Sequence, residues 1–127
     1  MGTNYCETEG LPSSCAMGGL LESLTRPWTL HILWVLGRNG AMRFGALRRA
    51  VEGISSRVLT ERLRFLEEKK FISREYKPTI PPEVTYRLTD RMDDFRMVLE
   101  HLHAVAVKWE AEDANKSPAP VPSSGVR

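Results

Sequence analysis

The stretch RFGALRRAVEGISSRVLTERLRFLEEKK, residues 43–70, decides the fold. RFGALRRAV reads as a short helix, and Glu52-Gly53-Ile54 as a tight turn in which Gly53 can relax into positive φ. Ser55-Ser56 then opens a second helix. Along that helix Leu59, Leu63 and Leu66, with Val58 and Phe65 beside them, keep the i, i+4, i+7 spacing of a buried stripe. Ser56, Arg57, Thr60, Glu61 and Arg64 are left to point outward.

Two strands follow, Phe71–Tyr76 and Val84–Leu88, and Pro78, Pro81 and Pro82 stiffen the loop between them into a wing. Helix, turn, helix, strand, loop, strand is the order of a winged helix-turn-helix, whose second helix enters the DNA major groove. The fold class expected is mostly α with a small β-wing. Serine, threonine and arginine hydrogen-bond phosphates and base edges, and an arginine can fork onto both major-groove acceptors of guanine. The candidate DNA contacts are therefore Arg43, Arg48, Arg49, Ser55, Ser56, Arg57, Thr60, Glu61, Arg64 and Lys77. Arg57 and Arg64 are the expected base readers, and Arg49 and Lys77 the expected phosphate contacts. The bland alternative is a solvated helix face with ordinary i,i+4 ion pairs.

Charge supports the first reading once it is located. Between Arg38 and Lys77 there are eleven Lys and Arg against five acids, a local +6, which leaves −4 for the rest of a chain of net +2. That segregation suits a polyanion. At 127 residues the chain is expected to hold one domain and no separate catalytic lobe. No apolar run approaches the roughly 20 residues of a spanning helix, and no secretory leader is legible, so a cytoplasmic protein is expected. With only Cys6 and Cys15, a structural disulfide is not the default reading there.

Outward from this centre, Met1–Ser14 reads as a flexible arm, residues 15–112 as the domain, and residues 113–127 as a disordered Pro/Ser-rich tail. A first helix over Ala16–Leu24 puts Met17, Leu20, Leu21 and Leu24 on one side. A second, from Pro27 and ended by Gly37 and Gly40, is apolar nearly all round and so must be buried on several sides. Thr89-Asp90 is expected to cap a long last helix reaching about Glu112. Its stripe, Met92 through Trp109, is wider than one small domain needs. The first and last helices are thus expected to pair two copies of the chain, which suits an inverted-repeat site.

The chain resembles the HxlR-type family of bacterial winged-helix transcriptional regulators over Cys15 to Trp109. The resemblance is carried by Cys15, Trp28-Thr29-Leu30, Ile32-Leu33, Arg43-Phe44, Leu47-Arg48-Arg49 and Gly53-Ile54-Ser55, then by Val58-Leu59-Thr60, Arg62-Leu63 and Leu66-Glu67-Glu68. It continues through Pro81-Pro82, Val84, Tyr86, Leu88-Thr89 and Trp109. It implies homodimeric repressors or activators that occupy operator DNA and respond to a redox or small-molecule signal. Three residues depart from the pattern: Pro27 replaces a lysine, Glu83 stands where a basic wing residue is common, and Met92 replaces a glycine. Glu83 matters most, because an acid there repels phosphate.

Cys15, at the start of the first helix, matches the reactive position of family members that sense oxidants. A helix N-terminus lowers a thiol pKa. The alternative is a small buried apolar residue. Trp28 and Trp34 with the last helix are a candidate seat for an aromatic effector, or simply core. His31, His101 and His103 lack ligand spacing, so no metal or other cofactor is expected. No nucleophile, base and orienting group come together, so no enzyme is expected either. The competing class is a winged-helix adaptor that binds proteins without specific DNA contact.

Overall fold

A helix with one apolar stripe must bury it, and residues 56–68 do so almost completely: Leu59, Leu63 and Leu66 are fully sequestered. The computed structural model describes residues 15–116, so the expected arm and most of the expected tail lie outside the described residues. In chain order the elements are α1 (Ala16–Leu24), α2 (Thr29–Asn39), β1 (Met42–Arg43), α3 (Phe44–Ala50) and α4 (Ser56–Glu68). Then come β2 (Ile72–Lys77), β3 (Glu83–Leu88), a 3-10 turn (Asp90–Met92) and α5 (Asp93–Lys116). The described chain divides into two units, one through Met92 and one from Asp93 onward.

In the first unit the core is Ile32, Leu33 and Leu36 of α2, Leu47 of α3, the α4 leucines, Ile72 of β2, and Val51 and Ile54 of the turn. This is a winged helix-turn-helix: mostly helical, with a small antiparallel sheet ordered β1-β3-β2. β2 pairs with β3 from Ile72↔Leu88 to Lys77↔Glu83, and β1 pairs with β3 at Met42↔Tyr86 and Arg43↔Thr85.

α4 is held at both ends by local chemistry. Ser55 is its N-cap, and the Ser55 Oγ accepts from the Val58 N–H at 3.1 Å. At the other end Lys70 adopts φ 66, the Lys70 N–H donates to the Glu67 carbonyl (3.0 Å) and the Phe71 N–H to the Leu66 carbonyl (2.9 Å). Those two bonds make a Schellman closure, here with lysine where glycine is usual. Between α3 and α4, Gly53 sits at φ 93, as the tight turn requires.

Several boundaries differ from the sequence expectation. α2 starts at Thr29 rather than Pro27, because Trp28 is its N-cap in the left-handed region, φ 72. Gly37 lies inside α2, and the helix stops at Gly40, φ 79. α2 is also less enclosed than expected. Leu30 and His31 are exposed, His31 stacks on Trp28, and the Arg38 guanidinium covers the half-buried Trp34 ring at 5.0 Å. The two-residue β1 is too short to show a period, and Arg43 reads in sequence as helix. α1 has the expected bounds but buries Gly18, Ser23 and Leu24, leaving Met17, Leu20 and Leu21 exposed.

Thr89 does not cap the last helix. Its hydroxyl donates to the Lys70 carbonyl at 2.7 Å, its N–H donates to Phe71, and a 3-10 turn precedes α5. α5 runs to Lys116, four residues past Glu112, so residues 113–116 are helical rather than tail. Ala111, Glu112, Ala114 and Lys116 are good helix formers, and Pro118 disfavours helix at the residue before it.

The two glycines separate a conformational from a steric requirement. Gly53→Ala should lower stability by about 1–2 kcal/mol, since a side chain is strained at that φ, and its Cβ would stand 3.4 Å from the Trp28 ring. Gly37→Ala, whose Cβ would meet Leu88 at an ordinary 3.6 Å, should raise stability by up to about 1 kcal/mol. Urea melts of both variants check the opposite signs.

Candidate nucleic-acid interface

Because the leucine stripe of α4 faces inward, Ser56, Arg57, Glu61 and Arg64 are exposed on the opposite side and Thr60 is half-buried at its edge. The structure therefore brings five of the ten expected contacts onto one helix face. Their chemistry is partly engaged within the chain. Arg57 Nε lies 3.7 Å from the Glu61 carboxylate, an i,i+4 pair, though the arginine side chain remains 86% exposed. Such a pair contributes about 0.5 kcal/mol at most, so duplex phosphate can displace it. The Thr60 hydroxyl donates to the Ser56 carbonyl at 2.8 Å. Ser55 is a cap, so its oxygen is already accepting from its own helix.

The remaining expected contacts lie elsewhere on the first unit. Arg48 and Arg49 are exposed in the last turn of α3. Arg43, on β1, has its Nη2 2.7 Å from the Glu83 carboxylate at the base of the wing. This pairing corrects the simple view of Glu83 as a bare repulsive charge, and it also removes Arg43 from the free cations. Lys77 is exposed at the end of β2, opposite Glu83 in the ladder.

Two residues escaped the sequence reading. Thr60, Leu63, Arg64 and Glu67 face Arg74 of β2 and Tyr86 of β3 across an open cleft of about 330 Å³. Arg74 and Tyr86 are ladder partners, so the sheet register itself sets them side by side. Neither Arg64 nor Arg74 is in an ion pair among the described residues. Two unneutralised guanidinium groups beside a hydroxyl-bearing helix face make an anion-receptive border. Strand alternation was the only available signal, and it says which face Arg74 occupies without saying what packs there.

The segment before α2 braces α4 from behind. Arg62 Nε donates to the Pro27 carbonyl at 2.8 Å, and the Arg26 guanidinium sits 4.0 Å over the Phe65 ring. Arg62 is thereby a positioning residue, distinct from the outward-facing arginines. Among the described residues no group of His, Cys, Asp and Glu is arranged to hold a metal ion. No described helix is long and apolar enough to cross a membrane.

Cys15 is 6% exposed, immediately ahead of α1, and it is disulfide-bonded. The expectation that a disulfide is not the default is thus corrected for this residue. The chain's other cysteine, Cys6, lies outside the described residues.

The family model for HxlR-like helix-turn-helix proteins matches residues 23–114. The chain belongs to the HxlR-like helix-turn-helix family. This HxlR-like chain is 31% identical over 99 residues to the regulatory protein MalR of Fusobacterium mortiferum, covering 78% of this chain and 90% of MalR. Among solved structures, it is similar to a MarR-family transcriptional regulator of Enterococcus faecalis V583, with a TM-score of 0.68 and 29% identity. That match covers 85% of this chain and 97% of the other. It is also similar to the reduced form of the transcriptional regulator YodB of B. subtilis, with a TM-score of 0.64 and 29% identity, over 72% of this chain and 90% of YodB. The HxlR-like chain is accordingly a transcriptional regulator of the winged-helix type, and not an enzyme.

If Arg62 braces the reading helix, Arg62→Leu should cost about 1 kcal/mol of stability, the typical net worth of one such bond. Hydrogen exchange should show α4 amides losing protection while those of β2 and β3 stay unchanged. Equal loss across the whole unit would mean that Arg62 has no local role.

Proposed function

We propose that this regulator binds a specific duplex as a homodimer on an inverted-repeat operator, in the cytoplasm, and that its occupancy responds to redox state or a small molecule. The observation that carries the reading is the α4 face: its apolar side is spent on the core, and its polar side exposes Arg64 and, in a weak pair with Glu61, Arg57, both suited to base edges. Arg48, Arg49, Arg74 and Lys77 are exposed cations suited to flanking phosphates.

The dimer reading is supported by apolar side chains left at the surface. Met17, Leu20 and Leu21 of α1 and Met97, Val98, Leu102, Val107 and Trp109 of α5 are all exposed. A soluble chain rarely leaves such rows uncovered, and a second copy supplies the same chemistry to cover them. Cys15 sits one residue before α1, so a change in its bonding acts directly on one of these rows. A small-molecule effector remains an expectation drawn from the resemblance.

The two ion pairs, Arg57–Glu61 and Arg43–Glu83, favour a second reading. By consuming cationic charge they suit a winged-helix adaptor that binds protein. Duplex selection separates the two readings, because an adaptor retains no sequence.

Selection from a random duplex library, read with and without reductant, should return a two-fold symmetric site whose retention differs between the two conditions. Arg57→Ala and Arg64→Ala should each cost about 1–3 kcal/mol and relax the choice at one position per half-site. Arg49→Ala and Lys77→Ala should weaken all sequences alike and flatten the salt dependence. Full selectivity in the Arg57/Arg64 double variant would remove the reading-face assignment.

Light scattering should give a dimer at micromolar concentration, and Leu21→Asp with Leu102→Asp should give a folded monomer. A wild-type monomer would end the dimer reading.

A further inference from the structure

An acid stands on the face that has to meet a polyanion. Glu61 is the one acidic residue of the sequence between Gly53 and Leu66, and on the exposed side of α4 it lies a turn after Arg57 and a turn before Arg64. Facing phosphate, its carboxylate is repelled. The floor of the major groove is different, because cytosine N4 and adenine N6 are amino donors there. Adenine N6 lies between two acceptors, its own N7 and thymine O4, whereas cytosine N4 has an acceptor on one side only. A carboxylate is therefore accommodated best at cytosine, where the hydrogen bond it accepts is charge-assisted.

The ion pair gives this carboxylate a defined neighbour. Arg57 Nε lies 3.7 Å from Glu61 Oε2, so the carboxylate takes the Nε edge of the guanidinium and leaves the two Nη nitrogens to donate elsewhere. Ser55 is the cap of α4, which puts Arg57 in the first turn, where a groove-reading helix meets base edges. Taken in order, the pair presents donor, donor, acceptor. The major-groove edge of a G·C pair presents acceptor (N7), acceptor (O6) and donor (N4), its complement at every place. An A·T edge, which runs acceptor, donor, acceptor, matches at the first place alone, and a C·G edge matches only in the middle.

We infer that Arg57 and Glu61 together read one G·C pair in each half-site, with Glu61 accepting from cytosine N4. The inference rests on the DNA-binding reading above. It makes Glu61 a specificity-determining residue rather than a neutraliser of Arg57, and it sets which strand carries the guanine.

The test uses the full chain and a duplex obtained by the selection described above, at the pair whose preference Arg57→Ala relaxes. Methylating N4 of that cytosine replaces the groove-facing N–H while the base stays paired, and affinity should fall about tenfold, the usual order for one poor base pair. Glu61→Ala should bind the methylated and unmethylated duplexes equally, with circular dichroism and thermal melting close to native because the Glu61 side chain is 52% exposed. A native protein indifferent to N4-methylation, or a methylation effect that persists in Glu61→Ala, would overturn the inference while leaving DNA binding intact. So would a Glu61→Ala protein that binds every duplex more tightly with unchanged base choice, since the acid would then act only by repelling phosphate. If Arg57→Ala relaxes no pair, the inference falls together with the reading-face assignment. Failure to select any duplex would overturn the DNA-binding reading itself, so the failures are distinct.

Discussion

The burial of Leu59, Leu63 and Leu66 is the constraint on which everything else in the first unit depends. Each fully buried leucine contributes about 2 kcal/mol relative to exposure, whereas the Arg57–Glu61 pair contributes about 0.5 kcal/mol or less. Rotating α4 by one residue step would forfeit the larger quantity three times over. The angular position of Arg57, Thr60 and Arg64 is therefore set by the core and not by any interaction those residues make themselves. A recognition surface composed of weakly restrained side chains becomes geometrically definite because the opposite side of its helix has no freedom.

Rotation is one degree of freedom, and translation along the helix axis is another. Translation is restrained at the two ends by different chemistry. Ser55 caps the start, while at the far end the Lys70 closure is tied to the strand exit: Thr89 and Arg91 both donate to carbonyls of residues 69–71. From behind, Arg62 reaches Pro27 and Arg26 covers Phe65. The left-handed Trp28 belongs to the same brace, since its ring is the neighbour of the Gly53 turn. The segment joining α1 to α2 is thus in contact with both the turn and the helix that follow it. Any displacement of α1, the element that starts beside the Cys15 disulfide, passes straight into residues 25–28 and from them to α4 through the Arg62–Pro27 hydrogen bond and the Arg26–Phe65 contact.

The helix-turn-helix itself was legible because its signals are local and agree with one another: a 3.6-residue stripe, a cap, and a glycine at a position needing positive φ. The α1 bounds were legible for similar reasons, but the buried face of that helix was not. Its apolar row, Met17, Leu20 and Leu21, is the row left exposed, so hydrophobicity marked a surface without saying what covers it. Thr89 misled because threonine before an acidic turn has the form of a cap, while the hydroxyl has a better partner 19 positions earlier in the chain. Arg74 and Tyr86 depend on cross-strand register and on which helix faces them. Neither is a local property, and no single-sequence period carries it.

The wing loop and the brace behind α4 differ in how they answer to change in length. Residues 78–82 connect two paired strands whose ladder ends at Lys77↔Glu83, and their own hydrogen bonds close within the loop. Residues 25–28 have no such autonomy, because a carbonyl, a guanidinium and an indole there are all committed to α4 or its turn. Insertions and deletions are therefore tolerable at the first place and disruptive at the second. A lineage built on this scaffold is free to retune its flank contacts by lengthening the hairpin while the groove-reading element keeps its seat.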